Sequence, residues 1–180
     1  MLKTVNNFYF VYEFCNGGTL EQILKKKGAL QENIALAYFR QIVDAFKILN
    51  RHNIMHRDLK PENILVHDGV LKIADFGFCK VLENPDEMAQ TMLGSPIYMA
   101  PEILKGEAYT IKADVWSLGV ILFRMLFGYC PFESTNIAKL IVLLENEELD
   151  IPSENKVSSG IVSLIRRMLV KDAKKRADWN

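Results

Sequence analysis

The chain has 180 residues, 49% of them apolar and 24% charged, enough for one domain with a sizeable core and too apolar for a disordered protein. Its 22 basic and 22 acidic side chains leave a formal net charge of +0, so the charge balance gives no reason to expect nucleic acid or an anionic membrane as partner. No apolar run reaches 18 residues, no segment reads as a signal peptide, and the three cysteines (Cys15, Cys79, Cys130) are too scattered for a disulfide framework or a zinc site, which suits a reduced, cytoplasmic setting.

Residues 8–14 (FYFVYEF) read as a strand, and a strand this apolar belongs inside a sheet. Asn16-Gly17-Gly18 breaks it, and Thr19 can cap a short helix over residues 19–27 that Gly28 closes. Along 31–52, Ile34, Tyr38, Ile42, Ala45 and Leu49 step by three or four and predict a helix with one buried face. Residues 64–66 and 71–73 are two short strands, and the Asp-Gly in the turn His67-Asp68-Gly69 is a strong hairpin signal. Residues 75–100 then form a loop of about 25 residues with a turn at Asn84-Pro85-Asp86, longer than the roughly 12–15 residues that structureless loops usually reach, so a functional role is expected. Residues 114–127 (DVWSLGVILFRMLF) are apolar almost all round and predict a central buried helix, followed by amphipathic helices over 135–145 and 158–170. The expected architecture is a helical domain with two small β elements, one at each side of a long loop.

The densest polar stretch, residues 56–63 (HRDLKPEN), lies between the long helix and the hairpin, and Asp75-Phe76-Gly77 follows the hairpin's second strand. The hairpin brings residues 63 and 75 close in space. Asn63 and Asp75 offer oxygen ligands suited to Mg²⁺, a hard ion that takes one or two side-chain oxygens plus phosphates and water. Asp58 and Lys60, two apart on an extended segment, can lean toward one substrate. A carboxylate beside an ammonium group and a metal is what phosphoryl transfer needs. The motifs of zinc hydrolases (HExxH) and of acyl-transferring serine enzymes (GxSxG) are absent.

Three segments in this order (HRDLKPEN, DFG and Ala100-Pro101-Glu102), with Asp114 to Gly119 (DVWSLG) and a late Arg176, resemble the signature set of eukaryotic protein kinases over essentially the whole chain. The resemblance implies a protein-kinase-like α+β fold: a mainly helical large lobe with a small hairpin at the catalytic loop. It implies that Asp58 is the catalytic base, that Lys60 touches the transferred phosphate in the manner of serine/threonine kinases, and that Asn63 and Asp75 hold Mg²⁺ on ATP. Tyr12 falls at the back of the adenine pocket, the main chain at Glu13 and Cys15 would bond adenine, and Leu65 would form its floor. His56 packs structurally under Phe76, and Glu102 pairs with Arg176. Asp114 belongs to the structural set.

Arg57 beside Asp58 suggests control by phosphorylation of the loop, with Thr91 at the place of an activating phosphate and Ser95 placed to bond Asp58 and Lys60. The expected partners are protein substrates, and regulatory proteins are further candidates. Phe78 favours serine over threonine as acceptor, and Arg124, where basic-directed kinases carry an acid, predicts no strong preference for upstream arginine. The sequences DFGFCK and GSPIYMAPE look most like the unc-51-like, autophagy-initiating kinases, with calcium/calmodulin-dependent kinases as the runner-up branch.

The same resemblance implies residues 1–18 as the last small-lobe strand and hinge and 19–180 as the large lobe, with the glycine-rich loop, the strand lysine and its glutamate partner absent from the sequence. Weak phosphorylation by this chain, an aromatic strand left unpaired and poor solubility are therefore expected. The alternative is an inactive large-lobe protein that binds peptides or a kinase partner.

Overall fold

Helix α4 (Lys112–Phe127) is buried along nearly its whole length and forms the centre of the core. In the computed structural model, which describes residues 1–84, 87–152 and 157–179, the elements before it are β1 (Leu2–Lys3), β2 (Phe8–Tyr9), α1 (Leu20–Lys27), α2 (Glu32–Arg51), β3 (Ile54–Met55), β4 (Ile64–His67), β5 (Val70–Ile73), β6 (Lys80–Val81) and a one-turn α3 (Pro101–Leu104). Helices α5 (Ile137–Asn146) and α6 (Ser159–Met168) follow it. The strands form three antiparallel pairs among the described residues: β1 with β2, β3 with β6, and β4 with β5.

Local chemistry explains most of the boundaries. Thr19 caps α1 with a reciprocal bond to Gln22, and Gly28 ends it. Asp68 and Gly69, both at positive φ, make the tight turn between β4 and β5. Asn136 caps α5 through the Lys139 amide.

Three expectations need correction. The strand proposed over residues 8–14 exists only at Phe8–Tyr9, where it pairs with Leu2–Lys3, and its aromatic side chains face outward, Tyr12 at 81% and Phe14 at 79% exposure. An apolar run becomes a buried strand only where a neighbour covers it, and the described residues supply none. On α2 the fully buried line is Ala35, Phe39, Ile42 and Phe46, while Ile34, Tyr38 and Leu49 pack at its flank. One residue is about 100° of helix rotation, so stepping from Ile34 instead of Ala35 turns the expected stripe off its centre. The loop over 75–100 is not structureless: it holds single 3₁₀ turns at Phe76–Phe78 and Pro96–Tyr98, strand β6, and a bridge from Ala89 to Tyr109. Of the turn expected at Asn84-Pro85-Asp86, the last two residues lie outside the described ones.

Arg176 ties the end of the chain to this core. Its side chain is fully buried, and each of its five N–H donors finds an acceptor. Nη1 and Nη2 grip the Glu102 carboxylate in a bidentate pair at 2.7 and 2.8 Å. The carbonyls of Val170, Lys112 and Lys171 take the other three donors at 2.9, 3.0 and 3.2 Å. The guanidinium also stacks 5.2 Å from the Trp116 ring centroid. Removing one partner of such a pair strands a buried charge, at about 3–5 kcal/mol. Arg176→Ala is therefore expected to lower the melting temperature by on the order of 10 °C, with Arg176→Lys recovering only part of it; an unchanged thermal midpoint in Arg176→Ala contradicts this.

Candidate active site

The polar stretch after β3 is positioned from the first turn of α4. The Asp114 carboxylate is buried there and accepts two main-chain amides: His56 N–H to Oδ2 at 2.8 Å and Arg57 N–H to Oδ1 at 3.1 Å. Burial pushes this carboxyl above the usual carboxylate range, and the two amides pull against that shift. Arg57 has φ +67°, a left-handed conformation costly for a side chain of its size. Asp114 and a bond from Arg57 Nε to the Phe78 carbonyl, at 2.5 Å, hold it there. The His56 ring is fully buried, donates from Nε2 to the Ala74 carbonyl at 3.1 Å, and accepts the Asp58 amide at Nδ1 at 3.4 Å, so the network places its proton on Nε2. Its ring meets Phe76 edge-on at 5.3 Å.

The turn at Arg57 delivers Asp58 into a closed polar cluster. Asp58 is 4% exposed. Its Oδ2 accepts Lys60 Nζ at 2.8 Å and Asn63 Nδ2 at 3.1 Å, while its Oδ1 accepts the Ser95 hydroxyl at 3.1 Å. Lys60 also donates to Ser95 Oγ at 2.8 Å, and Asn63 Nδ2 to the Asp58 carbonyl at 2.9 Å. The distal loop can come this close because residue 94 is glycine: φ is +112°, and a Cβ there would stand 2.4 Å from the Arg57 carbonyl oxygen.

A second feature is an open cleft of about 760 Å³, which gathers Tyr12, Glu13, Cys15, Leu65, Asp75 and Phe76 with Lys72, Ile73, Ala74 and Gly77. Residues 13–19 are laid along the β4–β5 hairpin to make it. Gly17 N–H donates to the Val66 carbonyl at 2.8 Å and Val66 N–H to the Gly18 carbonyl at 2.9 Å. Asn16 clasps Asp68, and Lys72 pairs with Glu13 at 2.8 Å. The hydrogen bond and charge of that pair hold the Glu13 carboxyl below, and the Lys72 amine above, their ordinary ranges. Lys60, Asn63 and Asp58 do not line this cleft. Asn63 adjoins its edge through the main chain, its carbonyl accepting the Ala74 amide at 2.8 Å.

The donor set fits a magnesium ion better than a metal caged by protein alone. Both Asn63 bonds toward Asp58 use its amide nitrogen, which leaves the side-chain oxygen as the free ligand. Asp75 is exposed, at φ +61°, and only its Oδ1 is engaged, by the Gly77 amide at 3.3 Å. Among the described residues, no group of three or more His, Cys, Asp or Glu is placed to hold a metal. Cysteine chemistry has no support: burial pushes the Cys79 and Cys130 thiols up to about 11.

Thr91 is exposed, and its carbonyl is pinned by the Tyr109 hydroxyl at 2.8 Å; the Arg57 guanidinium bonds the Phe78 carbonyl instead. Arg124 is not the open cation that the sequence suggested, because Glu21 and Tyr98 close around it. That cluster, Lys72 and the Asn16 clasp escaped sequence reasoning. The opposite charges at 21 and 124 are 103 positions apart, and nothing local marks them as partners.

A buried polar cluster beside a cleft that ends on an aspartate–phenylalanine–glycine turn is a phosphotransferase-like arrangement. The chain belongs to the protein kinase domain family, whose model matches residues 1–180, and its α+β architecture is the protein kinase fold. It is 40% identical over 175 residues to the serine/threonine-protein kinase atg1 of Dictyostelium discoideum, across 95% of this chain and 26% of that protein. It is 37% identical over 175 residues to the serine/threonine-protein kinase ATG1a of Arabidopsis thaliana, across 93% and 28%. It is 40% identical over 179 residues to the maternal embryonic leucine zipper kinase of Xenopus tropicalis, across 98% and 27%. The chain thus spans about a quarter of the length of these curated relatives. Among the described residues, no helix is long and apolar enough to cross a membrane.

Asp114→Asn tests how the site is hung. Asparagine offers one oxygen where two amides need acceptors, and an unmet buried amide costs about 1–3 kcal/mol. The variant is expected to melt lower and to exchange the His56 and Arg57 amides faster; wild-type exchange at both would contradict it.

Proposed function

We propose that this chain carries the catalytic machinery of a serine/threonine protein kinase, transferring the γ-phosphoryl group of ATP to a protein hydroxyl. The observation that carries the reading is the Asp58 carboxylate, which already accepts a hydroxyl, that of Ser95, on one oxygen while Lys60 and Asn63 hold the other. In the proposed mechanism a substrate hydroxyl takes the same acceptor. Asp58 orients it and takes its proton as the oxygen attacks the γ-phosphorus, the bond from that phosphorus to the β,γ-bridging oxygen breaks and ADP leaves. Lys60 offsets the charge of the transferred group, and Ser95 keeps both side chains in register. Asn63 and Asp75 would hold Mg²⁺, whose chemistry when bound is to neutralise charge on the phosphate oxygens. Tyr12, Leu65 and the main chain at Glu13 and Cys15 hold the adenine; that main chain makes no hydrogen bond of its own among the described residues. His56, Phe76, Asp114, Glu102 and Arg176 serve as the structural frame.

Residues 1–18 are read as a small-lobe strand and hinge, and 19–180 as the large lobe. The similarity to atg1 and ATG1a supports a place in the unc-51-like, autophagy-initiating branch. Phosphorylation of exposed Thr91, read out through Arg57, is the proposed control.

Asp58→Asn keeps the size of the side chain and removes the base, so peptide phosphorylation is expected to fall at least about 100-fold with binding of Mg-ATP retained; near-wild-type transfer overturns the reading. Peptide arrays are expected to show serine acceptors above threonine and no strong upstream arginine, since the Glu21 carboxylate is held by Arg124 and is closed to a substrate guanidinium. A profile dominated by arginine or by threonine, or Thr91 found bare in active protein by phosphopeptide mapping, contradicts these assignments.

A further inference from the structure

Arg124 projects from the last turn of α4 into a place where three parts of the fold meet. Its Nη2 donates to Glu21 Oε1 of α1 at 2.9 Å, and its Nη1 lies 2.7 Å from Glu21 Oε2. The second contact is an ion contact without hydrogen-bond geometry, so Oε2 has no hydrogen-bond partner. Nη1 instead donates to the Tyr98 hydroxyl. Glu21 is buried, and only 17% of the Arg124 side chain is exposed. Burial pushes the Tyr98 phenol well above its ordinary range and Glu21 keeps Arg124 charged, so the contact joins a protonated hydroxyl to a cation.

Tyr98 is held at its other end too. Its carbonyl accepts the Ser117 hydroxyl of α4 at 2.7 Å. The 3₁₀ turn Pro96–Tyr98 begins immediately after Ser95, whose hydroxyl touches both Asp58 and Lys60. A continuous set of contacts therefore runs from Glu21 through Arg124 and Tyr98 to the Asp58 cluster. None of Glu21, Arg124 or Tyr98 lines the cleft of Tyr12, Leu65 and Asp75.

We infer that Arg124 is a positioning residue: Glu21 orients its guanidinium, the guanidinium clamps the Tyr98 hydroxyl, and the clamp sets residues 95–98 against Asp58, where the protein substrate must dock. Its kinetic consequence rests on the kinase reading above; its geometry does not. A positioning role on the peptide side changes kcat/KM for peptide and leaves KM for ATP in place. General destabilisation would move both.

The test is a double-mutant cycle in the intact protein with Arg124→Met and Tyr98→Phe. Each variant is expected to lower kcat/KM for peptide about tenfold, the scale of one charge-assisted hydrogen bond, with KM for ATP unchanged and the double variant no worse than Arg124→Met. Hydrogen exchange supplies a readout independent of activity. The Tyr98 and Met99 amides, bonded to the Ser95 and Pro96 carbonyls at 2.9 and 3.1 Å, should exchange about tenfold faster in both variants, with interior amides of α4 unchanged. Additive losses, a matching rise in KM for ATP, or wild-type exchange at Tyr98 and Met99 would overturn the inference. A wild-type protein that phosphorylates no peptide would instead defeat the kinase reading, and the exchange result would still decide whether the clamp exists.

Discussion

One buried carboxylate holds the candidate active site to the rest of the molecule. Asp114 sits in the first turn of a mainly apolar helix and accepts the amides of His56 and Arg57. That pair of bonds offsets the left-handed backbone at Arg57, which a side chain would otherwise avoid. The turn at Arg57 in turn aims Asp58 at Lys60, Asn63 and Ser95. Helix α4 is thus a pillar: its apolar sides are fixed by the core, so its one buried acid is a fixed point from which the loop can be hung.

Buried polarity is confined to a few clusters elsewhere as well. Glu102 and Arg176 join the one-turn α3 to the chain end, and Glu21 with Arg124 joins α1 to α4. Both pairs are ionic and adjoin the segment over 75–100: Glu102 follows it, and Arg124 bonds Tyr98 within it. Such contacts suit a segment whose position matters more than its packing, because charge pairs and bidentate bonds have direction and apolar contacts do not. The loop over 75–100 is held by this kind of contact at several points: Arg57 to Phe78, Tyr109 to Thr91, Ser95 to Asp58 and Lys60, and Ser117 to Tyr98.

Features set by neighbouring residues were legible in the sequence. The Asp68-Gly69 turn, the Thr19 cap and the apolar α4 depend on a few adjacent side chains. The gathering of Asp58, Lys60 and Asn63 was also legible, because they stand within six residues of one another on one polar stretch. Features set by distant partners were not. Strand β6 is two residues long and exists because Ile54–Met55 lies beside it. The aromatic stretch at 8–14 reads as a core strand, yet its side chains stand in solvent, since a strand's burial is decided by what covers it. Arg124 shows the same limit for charge: its sign was visible, but its neutralisation by Glu21 required the fold.

In the proposed mechanism Asp75, which lines the cleft, and Asn63, at its edge, would hold one magnesium ion beside Asp58. Calorimetric titration with a non-hydrolysable ATP analogue, with and without Mg²⁺, tests it most directly. Binding is expected to strengthen with Mg²⁺ in the wild-type protein and to lose that magnesium dependence in Asp75→Ala. Binding of equal strength without the metal, or a magnesium dependence that survives Asp75→Ala, would contradict it.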